Sequence, residues 1–213
     1  IVGLDSGQIS MSIGQNESEE IFDAVIASTP SHIFNHITEG LSEEYKTKLL
    51  NIKYMAAVLI ILVMDRPLTN VYWLNIADRS IPFIGVIEHT NLVEPEIYGN
   101  KRIVYLSNYL AEDDPLYNMS SKELFNTYLP HLEKINRDFS HEWVKEYHHF
   151  KIPNAQPVVD TNYRKNIPEH ETGIQNLYLA NTSQVYPQDR GTNYSVAMGR
   201  KMAALALQKL KIK

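Results

Sequence analysis

The chain has 213 residues, 44% of them hydrophobic and 21% charged, and a net charge of −5 from 20 Lys and Arg against 25 Asp and Glu. That composition describes a globular chain of one large or two small domains, with no broad basic field to hold a nucleic-acid backbone. It contains no cysteine, which excludes a disulfide framework, a thiol nucleophile and Cys-ligated metal, and fits a reducing compartment such as the cytoplasm.

Ile1–Asp5 and Gln8–Ile13 alternate apolar and polar residues around Ser6-Gly7, with Gly14-Gln15-Asn16 as the next turn, and read as short antiparallel strands. Ile21–Ala27 reads as a third, more buried strand. Ser28 or Thr29 is expected to cap a helix over Ser31–Ile37 with Pro30 in its first turn, and Ser42 opens a second helix to about Asn51. From Lys53 the period becomes that of strands, over Lys53–Asp65, Tyr72–Ala77, Phe83–Glu88 and Lys101–Tyr109. The longest apolar run, Tyr54–Met64, falls well short of the about 20 residues of a membrane-spanning helix and reads as a buried strand.

Ser120-Ser121-Lys122-Glu123 introduces an amphipathic helix with Leu124, Tyr128 and Leu132 on one face. His141–Ile152 reads as a strand, and Pro153–Pro168 as an extended loop holding Gln156. Asn176–Ala180 is a short apolar strand. After a polar loop, Gly191-Thr192-Asn193 opens a helix to about Lys211, packed through Val196, Met202, Ala203, Leu205, Ala206 and Leu210. Strands and helices mix without strict βαβ alternation, so the fold class is α+β, a mixed and mostly antiparallel sheet with flanking helices. Sequons at Asn16, Asn118, Asn181 and Asn193 are short enough to arise by chance, and no secretory signal accompanies them.

The helix start at Gly191 presents unsatisfied N–H groups and the positive end of a dipole, which favours an anionic or electron-rich ligand. Gly191 permits close approach to the backbone there, and Gly199 would let the helix lie against a sheet or cofactor. A plain surface helix capped by Thr192 or Asn193 is the bland alternative. His32 and His36 stand four apart, but no third ligand accompanies them, so no metal site is expected.

Two stretches carry a family resemblance. Asn176-Leu177-Tyr178-Leu179-Ala180 followed by Arg190-Gly191-Thr192-Asn193-Tyr194-Ser195-Val196-Ala197-Met198-Gly199-Arg200 resembles the C-terminal flavin-binding segment of the amine oxidase superfamily. That superfamily includes protoporphyrinogen oxidases and UDP-galactopyranose mutases. Phe22–Pro30 is similar to the strand by which those chains leave the FAD domain for the substrate domain. Asn181-Thr182 stands where the family has Gly-Asp, and the dinucleotide fingerprint G-x-G-x-x-G does not occur.

The resemblance implies the C-terminal piece of a longer FAD-dependent oxidoreductase that transfers hydride from a small organic substrate to flavin. Residues 1–30 and 170–213 would belong to the FAD-binding domain and 31–169 to the substrate domain. Arg190, Gly191, Thr192, Asn193, Tyr194 and Ser195 would contact FAD. Tyr72, Trp73, Gln156 and Tyr186 would line the substrate pocket, and Glu88 and His89 would supply an acid/base pair. By itself the piece is expected to be inactive, to hold no FAD tightly without the missing N-terminal FAD-binding region, and to self-associate through uncovered apolar surface. Two alternatives stay open: a flavin-dependent sugar-nucleotide mutase, with Arg79, Arg164 or Arg190 for the pyrophosphate, or a non-enzymatic α+β binding domain.

Overall fold

Apolar–polar alternation builds the first hairpins of the protein, seen in a computed structural model that describes residues 1–14 and 18–211. β1 (Val2–Gly3), β2 (Ile9–Ile13) and β3 (Ser18–Phe22) form an antiparallel sheet with β2 in the middle. Gly7 turns the chain between the first two strands at φ 81°, a conformation that costs glycine little. Gln15 and Asn16, read from sequence as part of a turn and a sequon, lie outside the described residues.

The strand expected over Ile21–Ala27 is two strands. β3 ends at Phe22, and β4 (Val25–Ala27) leaves it to pair in parallel with a strand from the far end of the chain. The physical reason is a change of hydrogen-bond partner: Val25 N–H donates to Asn176 O rather than continuing the hairpin. α1 (Ser31–Ile37) follows with Pro30 at its N-cap position and no side-chain cap, so neither Ser28 nor Thr29 serves that role. α2 (Glu43–Asn51) is capped as expected, the Ser42 hydroxyl accepting from Tyr45 N–H.

β5 (Tyr54–Met64), β6 (Trp73–Asn75), β7 (Gly85–Glu88) and β8 (Arg102–Leu110) follow. Then come two short helices, α3 (Pro115–Asn118) and α4 (Ser121–Tyr128), and the long strand β9 (Val144–Pro157). The five strands lie in the order β6-β7-β8-β5-β9, and the pairs β6/β7, β7/β8 and β8/β5 are antiparallel. β9 covers the expected strand but runs on through Pro153, where a loop was expected. It lies at the sheet edge, where a residue without an N–H costs no ladder bond. One sheet face packs Val58, Ile60, Leu62, Val86, Val104 and Leu106 onto Leu124, Tyr128 and Leu132. α4 is held at its start by the capping box between Ser120 and Glu123.

α5 (Tyr163–Asn166), β10 (Leu177–Leu179) and α6 (Thr192–Lys209) complete the chain, β10 being the parallel partner of β4. Of the expected packing stripe of α6, Met202 and Ala206 are buried, Leu205 and Leu210 half-buried, and Val196, 50% exposed, and Ala203 are uncovered. The chain divides into two compact units, Ile1–Lys53 with Pro157–Lys213, and Tyr54–Gln156. α1 and α2 therefore belong with the terminal segments, not with the central one. Each unit has its own core, around Ile9, Phe34, Leu49, Leu177 and Leu179 in the terminal unit and beneath the five-stranded sheet in the central one. The class is α+β. Among the described residues no helix is long and apolar enough to cross a membrane, and no cluster of His, Asp and Glu could hold a metal.

Candidate functional site

The terminal unit places β4 and β10 side by side and in parallel, so that the turns leaving both strands meet at one end of the pair. Asn181 joins those turns. Its Oδ1 accepts from Ser183 N–H at 3.0 Å and from Ser183 Oγ at 2.6 Å, and its Nδ2 donates to Thr29 O at 2.9 Å and Ser31 Oγ at 3.2 Å. Asn181, Ser31 and Ser183 are all buried. Asn181, which stands at the glycine of the family's Gly-Asp pair, is thus turned inward and fully engaged, whereas Thr182, at the position of the acid, is exposed.

Beyond this junction the loop delivers Arg190–Ser195 to the start of α6. Gly191 is the N-cap residue, no side chain caps the end, and the first turn holds no acidic residue. Tyr194 and Ser195 N–H both turn to Gly191 O. Thr192 through Ser195 are exposed. A Cβ added at Gly191 would meet Asn193 Oδ1, the end of an exposed side chain that can turn aside, so the glycine leaves room beside the backbone without being demanded by its conformation. The Arg190 guanidinium lies near Asp189 Oδ1 at 3.7 Å and donates to Pro157 O at 3.4 Å. Open N–H groups at a dipole's positive end beside an arginine suit the electron-rich edge of a flavin. Gly199 faces open space, with nothing within 4 Å of an added Cβ. Tyr186 and Tyr194 come together on one cleft of about 220 Å³, which His170, Met198 and Lys201 also line.

In the central unit, strand alternation separates the adjacent Glu88 and His89. Glu88 points into the core with Val86 and is wholly buried, and its Oε2 accepts from Leu68 N–H at 3.1 Å and Thr69 N–H at 2.6 Å. Burial pushes its carboxyl up from the usual range, against the pull of those N–H groups and Arg102. The His89 ring instead shares a hydrogen bond of 2.8 Å with Tyr98 OH and meets the Tyr105 ring edge-on. The two side chains do not act on one another.

Trp73 lies on the second sheet face, 56% exposed, its Nε1 donating to Asn75 Oδ1 at 2.8 Å. The strand register sets it in one row with Ile87, Tyr105 and Ile61. Tyr72, 39% exposed, precedes β6, and its carbonyl accepts from Glu88 N–H. Gln156, near the end of β9, is at the opposite edge of the sheet, so it is not brought to Tyr72 and Trp73. Tyr105 and Ser107 of this face escaped the sequence reading. Their signal was the alternation of β8 against the buried Val104 and Leu106.

No protein-family model matches the sequence, and no curated protein matches it. Solved structures do. A putrescine oxidase variant redesigned in its cofactor binding superposes with a TM-score of 0.73 at 11% identity, covering 98% of this chain and 48% of its own. A protein provisionally named protoporphyrinogen oxidase, from Exiguobacterium sp. 255-15, gives 0.70 at 12% identity, covering 98% and 46%. A reduced UDP-galactopyranose mutase gives 0.66 at 16% identity, covering 82% and 38%. The chain shares their fold. The resemblance read from its two ends is borne out at that level, and the chain spans less than half the length of each of these proteins.

Proposed function

We propose that this chain is the C-terminal portion of an FAD-dependent oxidoreductase of the amine oxidase superfamily, acting on a small organic substrate. The observation that carries the reading is the uncapped start of α6, whose residues match the family's flavin segment, within a fold shared with an oxidase over 98% of the chain. Bound there, the flavin supplies the hydride acceptor. The N–H groups of the first turn, together with Arg190, stabilise negative charge on the electron-rich edge that they hold. Thr192, Asn193, Tyr194 and Ser195 orient that edge, and Tyr186 lends it an aromatic neighbour.

Tyr72 and Trp73 belong to the substrate side in this reading, joined by Tyr105, while Gln156 stands apart at the other sheet edge. His89, whose ring meets Tyr105, is the acid/base group on that side and serves to hold or move a proton. Glu88 acts as a positioning residue through the turn at Leu68 and Thr69. The mutase alternative draws on the likeness to UDP-galactopyranose mutase. A binding domain without flavin is the remaining alternative. The 213 residues lack the dinucleotide fingerprint, so tight FAD binding and turnover are expected only with the region that supplies it.

The test is to express the open reading frame that encodes this chain and to measure bound flavin and substrate-dependent flavin reduction. Stoichiometric flavin, lowered by Gly191→Val, supports the reading. A purified product without flavin, or full occupancy in Gly191→Val, overturns it.

A further inference from the structure

The second face of the central sheet differs from the first in a chemically specific way. The register aligns Trp73, Ile87, Tyr105 and Ile61 across four adjacent strands, and the neighbouring row is Asn75, Gly85, Ser107 and Leu59. On this face β5, β6, β7 and β8 carry no Asp, Glu, Lys or Arg. Yet the face is not purely apolar. Trp73 Nε1 occupies Asn75 Oδ1 and leaves the amide N–H groups of Asn75 to point elsewhere. Ser107 Oγ makes only a long contact, 3.4 Å, with Gly85 O. A Cβ at residue 85 would come within 2.8 Å of that hydroxyl, so the glycine keeps it accessible.

We infer that this sheet face binds an uncharged, flat, ring-containing molecule with an oxygen acceptor at its edge. An ion laid on the row would give up water and find no counter-charge among these strands, a penalty that a neutral group escapes. Ring faces of Trp73 and Tyr105 favour offset or edge-on contact with another ring, and covering the row returns about 25 cal/mol for each Å² of apolar surface buried. Asn75 and Ser107 then supply donors for an oxygen at the ligand's edge. A diphosphate needs cations and an alkyl diammonium needs carboxylates, and neither belongs on this row. The inference deepens the proposed function by naming the class of its substrate, and rests on that reading for its biological meaning. The binding itself requires no flavin.

The experiment titrates the 213-residue chain, without added flavin and near neutral pH, by calorimetry with three ligands of one shape. They are 2-naphthalenemethanol, 2-naphthoate and 2-naphthylmethylammonium. The alcohol is expected to bind about tenfold more tightly than either ion. Ile87→Arg is expected to turn the preference to the carboxylate, and Ser107→Asp to the ammonium. Circular dichroism checks folding, and Ser107→Asp alone carries the test if Ile87→Arg unfolds. Equal or tighter binding of an ion by the unaltered chain overturns the inference, as does an unchanged ranking in a folded variant. Flavin binding is measured separately on the product of the full reading frame. Its absence there, with the alcohol still bound here, counts against the oxidoreductase reading alone.

Discussion

Replacing Glu88 by Ala tests the assignment of this residue to the fold of the central unit. The carboxylate is wholly buried and takes two backbone N–H groups, those of Leu68 and Thr69, at 3.1 and 2.6 Å. Leu68 is 2% exposed, so its N–H is left without water or partner, at a cost of about 1–3 kcal/mol, and Thr69, half-buried, adds less. Relief of the buried carboxyl's own desolvation offsets part of this, and the expected loss is about 2–3 kcal/mol. Glu88→Gln keeps an acceptor oxygen and should cost about 1 kcal/mol. Both tryptophans, Trp73 and Trp143, lie in the central unit, so urea unfolding followed by tryptophan fluorescence reports that unit.

The pH dependence has a definite sign. Burial raises the folded carboxyl above its unfolded value, so the folded chain binds the proton more tightly. The stability contributed by this group is therefore full below the ordinary carboxylate range and falls as pH rises from there to the raised folded value. Gln carries no such proton, so the Glu88→Gln penalty should be largest in acid and shrink toward neutrality. A Glu88→Ala loss below about 1 kcal/mol with unchanged amide exchange at Leu68 and Thr69 would refute the assignment. A penalty for Gln that grows with pH would refute the sign.

Two further substitutions probe other parts of the chain. Asn181→Ala removes one partner from each of Ser31, Ser183 and Thr29, while the Ser31 and Ser183 hydroxyls keep one another, and should cost about 2 kcal/mol, read as faster exchange of the Ala180 amide that donates to Ala27 O. Asn181→Asp should also destabilise, because a carboxylate cannot donate to the Thr29 carbonyl; exchange at the wild-type rate would show otherwise. Asp78 is held down to about 2 by the Ser80 hydroxyl first, then by Ser80 N–H and Lys134. Ser80→Ala should move its titration up toward the usual carboxylate value in an NMR pH series, and an unmoved titration would remove the hydroxyl as the main cause.

Local physics made much of this protein legible. The Ser120–Glu123 capping box, the Ser42 cap and the apolar run of β5 each announce an element from neighbouring residues alone. The strand-to-helix motif at Leu177–Ser195 pointed to a fold that the solved structures share. Where a side chain faces depended on more distant partners. Alternation says that Glu88 and Ile87 lie on opposite faces, but only the packing of α4 and Leu68 beneath the sheet decides that Glu88 is the buried one. The parallel pairing of β4 with β10 split a strand that reads as continuous, since Val25 finds its acceptor in Asn176, far along the chain. Sheet order placed Trp73 beside Ile87 and Tyr105 and set Gln156 at the other edge. Sequence by itself determined most of the elements, the class and the candidate cofactor segment, because caps, turns and periodicity act within a few residues. Only the tertiary structure decided which residues share a face, because strand partners are chosen by hydrogen bonds and burial between segments distant in the chain.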